Sequence, residues 1–87
     1  MIATRIALHG NVKTGGTWTP VTEAFVGYDH PTRLDAEHAV TLDIVDERDG
    51  AINRVALELP LEEARRLHDE LTRVLAAAAA HETGNGR

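Results

Sequence analysis

Between Val40 and Ala80 the spacing of apolar side chains follows two different periods. Val40, Leu42 and Ile44 alternate with Thr41 and Asp43, and Val55, Leu57 and Leu59 alternate with Ala56 and Glu58, the period-two signature of half-buried strands. Asp49-Gly50 between them suits a type I′ hairpin turn, which needs positive φ at both central residues. A turn there sets Ile44 opposite Val55, Leu42 opposite Leu57 and Val40 opposite Leu59, so each large apolar residue meets another on one face. A slip of one residue would turn those side chains to the wrong face, so pattern and turn specify the same register independently.

From Pro60 the period lengthens. Leu61, Ala64, Leu67 or His68, Leu71, Val74, Leu75 and Ala78 recur at three and four, which predicts a helix over Pro60–Ala80 with one apolar stripe. Proline suits the first helical position because its φ is already helical and its missing N–H needs no partner. Glu62 and Glu63 in the first turn complement the positive end of the helix dipole. The other side offers the i,i+4 pairs Glu62–Arg66, Arg65–Asp69, Arg66–Glu70 and Asp69–Arg73, each worth about 0.3–0.5 kcal/mol. These read as a solvated face or, alternatively, as a surface for a partner of basic or mixed charge. Ala76 to Ala80 has strong helix propensity, and its small side chains also permit close approach of another helix or sheet.

The first half is less regular. Ile2, Thr4, Ile6 and Leu8 alternate with Ala3, Arg5, Ala7 and His9, predicting a strand over Ile2–His9. Two turn signals follow, Gly10-Asn11 and Thr14-Gly15-Gly16-Thr17, and the pattern does not choose between them. A tip at Gly15-Gly16 would set Ile6 opposite Phe25 and Val12 opposite Thr19. The second strand is expected within Val21–Tyr28, with Pro20 at or before its start because proline lacks the ladder donor. Trp18, the single tryptophan, stands beside glycines and a proline. It reads as a cap over the open end of a core or as an interface anchor, since tryptophan is enriched at binding hot spots. His30-Pro31 keeps the next connection extended, and Arg33–His38, polar apart from Leu34, is compatible with a single helical turn.

Length and charge narrow this picture. A chain of 87 residues makes one marginal core, so help from a partner subunit is expected. Residues 1–83 form the expected domain and 84–87 a short flexible tail, where Gly84 and Gly86 stop the helix. The absence of cysteine excludes disulfide staples and thiolate metal sites and fits a reducing compartment. No apolar run approaches a membrane span or a signal peptide, so a cytoplasmic protein with no membrane partner is expected. The net charge is −5, and from Asp35 onward there are twelve acidic and six basic side chains, against two and three in residues 1–34. Direct binding of DNA or RNA is therefore disfavoured, because phosphate contacts supply most of such affinity.

The densest potential chemistry lies in Asp29, His30, Asp35, Glu37 and His38, a mixture of imidazole and carboxylate that suits zinc in kind but matches no zinc spacing. No metal, cofactor or catalytic residue is assigned. A nucleophile with a neighbouring base cannot be assembled by spacing, and the chain lacks G-x-S-x-G, P-loop, G-x-G-x-x-G and H-E-x-x-H motifs. A non-enzyme is expected.

Val-Thr-Leu-Asp-Ile from Val40, followed by Val-Ala-Leu-Glu-Leu-Pro-Leu-Glu-Glu-Ala-Arg-Arg-Leu from Val55, resembles the hairpin-plus-helix endings of many short proteins of actinobacteria and their phages. The resemblance covers the second half of the chain and implies a small accessory or regulatory role. The resulting expectation is an α+β domain of order β-β-β-β-α: an antiparallel sheet of about four strands, with one long C-terminal helix packed on one face. A 21-residue helix of roughly 31 Å exceeds the width of such a sheet, roughly 19 Å, so it either runs nearly along the strands or overhangs at its Ala76–Ala80 end. The expected function is a non-enzymatic interaction or regulatory protein acting as a homodimer. The alternative is an acidic inhibitor of phage or mobile-element type that occupies a basic nucleic-acid-binding site on a target. Candidate partner-binding residues are Trp18, Glu62, Asp69, Ala77 and Ala80.

Overall fold

The computed structural model describes residues 2–46 and 53–84. Four strands, β1 (Ile2–Thr14), β2 (Thr17–Asp29), β3 (Ala39–Asp46) and β4 (Asn53–Leu59), precede one helix, α1 (Leu61–Gly84). The strands form a single antiparallel sheet in the order β1-β2-β3-β4, and α1 lies against β3 and β4. This is the α+β architecture that the periodicities predict. The β3–β4 pairing carries the expected register, with Val40, Leu42 and Ile44 opposite Leu59, Leu57 and Val55. The Asp49-Gly50 turn assigned to this hairpin lies outside the described residues.

The first hairpin is longer than its pattern suggests. Gly15 (φ 55°) and Gly16 (φ 88°) form its tip, both in the left-handed region that a type I′ turn requires. Gly10-Asn11 is not a turn but part of β1, paired with Val21 and Pro20. Val12 faces Thr19 as expected, but Ile6 faces Ala24 rather than Phe25. The cause is a bulge between Ala7 and Gly10, where Leu8 and His9 together stand against Thr22 and shift the ladder by one residue. β2 also begins earlier than expected, placing Pro20 inside the strand. That position is tolerable because, among the described residues, β3 pairs with β2 over Glu23–Asp29 and Pro20 has a strand neighbour on one side.

Three further expectations are corrected. Pro60 is not the first helical residue. It precedes Leu61, and its carbonyl accepts the first helical hydrogen bond from Ala64 N–H at 3.0 Å, so it acts as the N-cap. The helix continues past Ala80 through His81, Glu82 and Thr83 to Gly84, because nothing before that glycine interrupts it. Residues 32–37 form a bend rather than a helical turn, with Ala36 N–H bonding Leu34 O at 3.0 Å.

The buried apolar core is small: among the described residues it comprises Val21, Ala24, Ala39 and Val45. Residues sharing the α1 side of the sheet follow from register and alternation: Ile2, Thr4 and Ile6 on β1, Ala24, Val26 and Tyr28 on β2, then the apolar sets of β3 and β4.

Candidate interaction face

No residue of α1 is buried. Between its apolar stripe and the sheet runs an open cleft of about 500 Å³, floored by Val26, Val40, Leu42, Leu57 and Leu59 and walled by Ala64, Leu67, Leu71 and Leu75. Leu71 is 54% exposed and Leu75 66% exposed, although both line the cleft. On β1, which α1 does not contact, Ile2, Ile6 and Leu8 are also exposed. Fully burying one such side chain is worth about 1.5–3 kcal/mol, so the open face forgoes a large part of the stabilisation that its composition offers.

The overall dimensions agree. The surface area is 6,779 Å² for a 9.5 kDa chain, against about 5,000 Å² for a typical folded monomer of this mass. The radius of gyration is 15.5 Å, against about 12 Å for a compact chain of this length.

The opposite face is built differently. Its centre carries small residues, including Ala3, Gly27, Thr41 and Ala56, and the 30–38 loop arches beside them to form an open hollow of about 770 Å³. Glu58 pins that loop: its carboxylate accepts backbone N–H bonds from Thr32 at 2.5 Å, Arg33 at 2.9 Å and Leu34 at 3.0 Å. Those donors, Thr32 first, favour the charged carboxylate and lower the Glu58 pKa. Arg54 pairs with Asp43 at 3.0 Å on the same face, and Arg5 Nε donates to Glu23 Oε1 at 2.5 Å. A Cβ on Gly27 would stand 2.5 Å from the Ile2 carbonyl oxygen, so only glycine allows β1 and β2 to approach this closely here.

The imidazoles of the expected chemistry cluster are brought together by stacking. His38 stacks on Tyr28 with centroids 5.4 Å apart and on His30 at 4.8 Å. His30 Nδ1 lies 3.0 Å from Glu37 O, and because a carbonyl only accepts, Nδ1 carries the proton. His30 N–H donates to Asp29 Oδ1 at 2.7 Å. The arrangement ties both ends of the loop together. Among the described residues no three metal-binding side chains converge.

The candidate partner-binding residues do not form one site. Trp18 is 65% exposed on the β1–β2 hairpin opposite Lys13, so it does not cap the core. Glu62, Asp69, Ala77 and Ala80 are all exposed on α1, and at about 100° per residue they fall on its charged side, away from the cleft. The ion pairs there use i,i+3 spacing, Arg66 with Glu63 and Arg73 with Glu70, and Asp69 contacts His68 Nδ1 at 3.0 Å. Sequence reasoning missed the Glu58 clamp, the imidazole stack and the openness of the cleft. Alternation marks Glu58 only as a polar strand position, and no local signal singles it out.

Among the described residues no helix is long and apolar enough to cross a membrane. The chain belongs to the Family of unknown function (DUF6295), which it matches over residues 1–84. No match is found among curated proteins or among solved structures.

Proposed function

We propose that this protein is a non-enzymatic interaction or regulatory protein that acts as a homodimer, with the apolar α1 side of the sheet as its association surface. One observation carries the reading: the fold leaves about 1,700 Å² more surface than a monomer of its mass should, and the exposed part of the α1 side is rich in Leu, Ile and Val. Exposed apolar patches beyond a few hundred Å² mark interaction sites in soluble proteins. Trp18, exposed on the protruding hairpin, is the natural contact for a further protein partner. Sedimentation equilibrium at micromolar concentration tests the dimer. The expected mass is twice 9.5 kDa, and a species that stays monomeric at all accessible concentrations would overturn the reading.

The net charge of −5 and the exposed Glu62, Glu63, Asp69 and Glu70 favour a second reading, an acidic inhibitor that covers a basic nucleic-acid-binding site. Arg65, Arg66 and Arg73 interrupt that acidic surface, so it stands behind the first. Capture of a basic nucleic-acid-binding protein that is released by salt would support it, and capture insensitive to salt would not.

A further inference from the structure

Two features of the α1 side have opposite shapes. The first is the cleft of about 500 Å³ between helix and sheet, floored by Val26, Leu42 and Leu57 and walled by Leu67, Leu71 and Leu75. Clefts of roughly 300–1,000 Å³ with apolar walls and a few polar groups are where proteins hold compact apolar groups. The polar groups here are Thr41, His68 and Thr72. The second feature is Trp18, 65% exposed near the tip of the β1–β2 hairpin and beyond the described end of β3. Alternation along β2 puts Trp18 on the same side as Ala24, Val26 and Tyr28, since the bulge interrupts β1 and leaves the period of β2 intact.

We infer that Trp18 of one copy seats in the α1 cleft of a second copy, and the reverse, a contact that rests on the dimeric reading and gives it a centre. Trp18 cannot fill the cleft of its own chain. It stands eight residues from Val26 along a single strand, about 26 Å at 3.3 Å per residue. Each copy therefore carries one projecting side chain and one cleft set well apart. A single two-fold axis makes both contacts at once, residue i of one chain touching residue j of the other and j touching i.

The chemistry of the two features matches. An indole brings a large apolar area together with one N–H that needs an acceptor when buried. The Thr72 hydroxyl donates to His68 O at 3.0 Å, so its oxygen lone pairs remain to accept that N–H at the cleft lining. Charge agrees as well. Lys13, paired directly with Trp18, is the only charged residue between Gly10 and Thr22, and it makes no ion pair among the described residues. The helix that walls the cleft carries five acidic and three basic side chains, so the arm and the element it meets are opposite in sign.

Because Trp18 is the single tryptophan, its fluorescence reads the contact directly. In a dilution series followed by sedimentation and emission together, the dimer should emit at shorter wavelength and resist quenching by acrylamide, and both effects should reverse as the chains separate. Trp18→Ala removes a side chain that the monomer leaves mostly in water. Its far-ultraviolet circular dichroism should therefore be unchanged, while the dimer dissociation constant rises by about thirtyfold or more. Mixing two variants adds a test that a general apolar association does not pass. Trp18→Ala alone lacks the arm and Leu71→Asp alone lacks the cleft, so neither makes the contact with itself. Together they restore one, Trp18 of the Leu71→Asp chain entering the intact cleft of the Trp18→Ala chain. The only tryptophan in that mixture should shift to shorter wavelength on mixing. No shift between two variants that are both folded by circular dichroism would overturn the contact. The wild-type measurement needs no variant and decides the matter even where Leu71→Asp fails to fold. A wild-type dimer whose Trp18 is as open to acrylamide as the monomer's would overturn this contact and leave the dimeric reading standing. A monomeric wild type would overturn both.

Discussion

The two faces of the sheet are completed by different means. On one, the chain finishes its own work: the 30–38 loop is fixed by three backbone N–H bonds to Glu58, and small residues let neighbouring elements approach closely. On the other, the residues are the most apolar in the protein, yet the helix across them buries none of its own side chains. Directional polar contacts close the first face within one chain. The apolar face has area that α1 leaves open, and it is there that the association proposed above would add stabilisation.

The largest effect should come from Leu71→Asp. If the apolar face is solvent-facing in the working protein, a side chain already 54% exposed tolerates the change within about 0.5 kcal/mol. If the face is covered, the substitution leaves a charge without a partner and should lower stability by more than about 3 kcal/mol. Thermal melts at two protein concentrations measure it, and the covered case is expected: a large fall in Tm together with loss of its concentration dependence. A variant that melts with the wild type would show that the contrast between the faces has no energetic meaning.

Gly27→Val probes the self-completed face and should come next. The Cβ would stand 2.5 Å from the Ile2 carbonyl oxygen and 3.0 Å from Thr41 Oγ1. The first of these is backbone, so β1 and β2 must separate, at about 2–3 kcal/mol. Denaturant midpoints should fall accordingly, and the fall should persist under conditions where the dimer is already dissociated. A loss seen only in the dimer would place the strain at the association surface instead.

How far the sequence disclosed this contrast follows from what each signal encodes. The β3–β4 register was legible because three apolar pairs and one turn dipeptide agree, and the stripe of α1 was legible because its period is long and unbroken. The bulge was not, since Leu8 continues the apolar alternation and nothing marks that Leu8 and His9 share one partner. Gly10 looks like turn chemistry but sits in a strand that the Gly15-Gly16 tip has already extended. Trp18 beside two glycines resembles a core cap, yet the hairpin carries it 65% exposed beyond the described end of β3. Periodicity identifies which side of α1 is apolar but not how closely it approaches the sheet. Glu58 stayed hidden for a different reason: its role depends on a loop 24 to 26 residues away in sequence, and a glutamate on the polar side of a strand looks the same whether it faces water or three amide groups.

Glu58→Gln should give the smallest effect and the sharpest one. The three backbone donors favour the carboxylate over its protonated form, so the folded pKa lies below the ordinary glutamate value. A depressed folded pKa means that the unfolded chain binds the proton more readily. The stabilisation is therefore complete above the ordinary value and is lost as pH falls through the folded one. An amide cannot reproduce it, because one of its two heteroatoms donates and opposes the N–H groups of the loop. The side chain is solvent-accessible, so the expected fall in Tm at neutral pH is only a few degrees. The difference from wild type should shrink as the solution is made acidic and vanish once the wild-type carboxylate is protonated. Amide hydrogen exchange at Thr32, Arg33 and Leu34 should accelerate in the variant at neutral pH, while the dimer dissociation constant stays unchanged because the clamp is on the far side of the sheet from the apolar α1 side. A Tm difference constant across pH would mean that shape rather than charge holds the loop, and a weakened dimer would mean that the two faces are not independent.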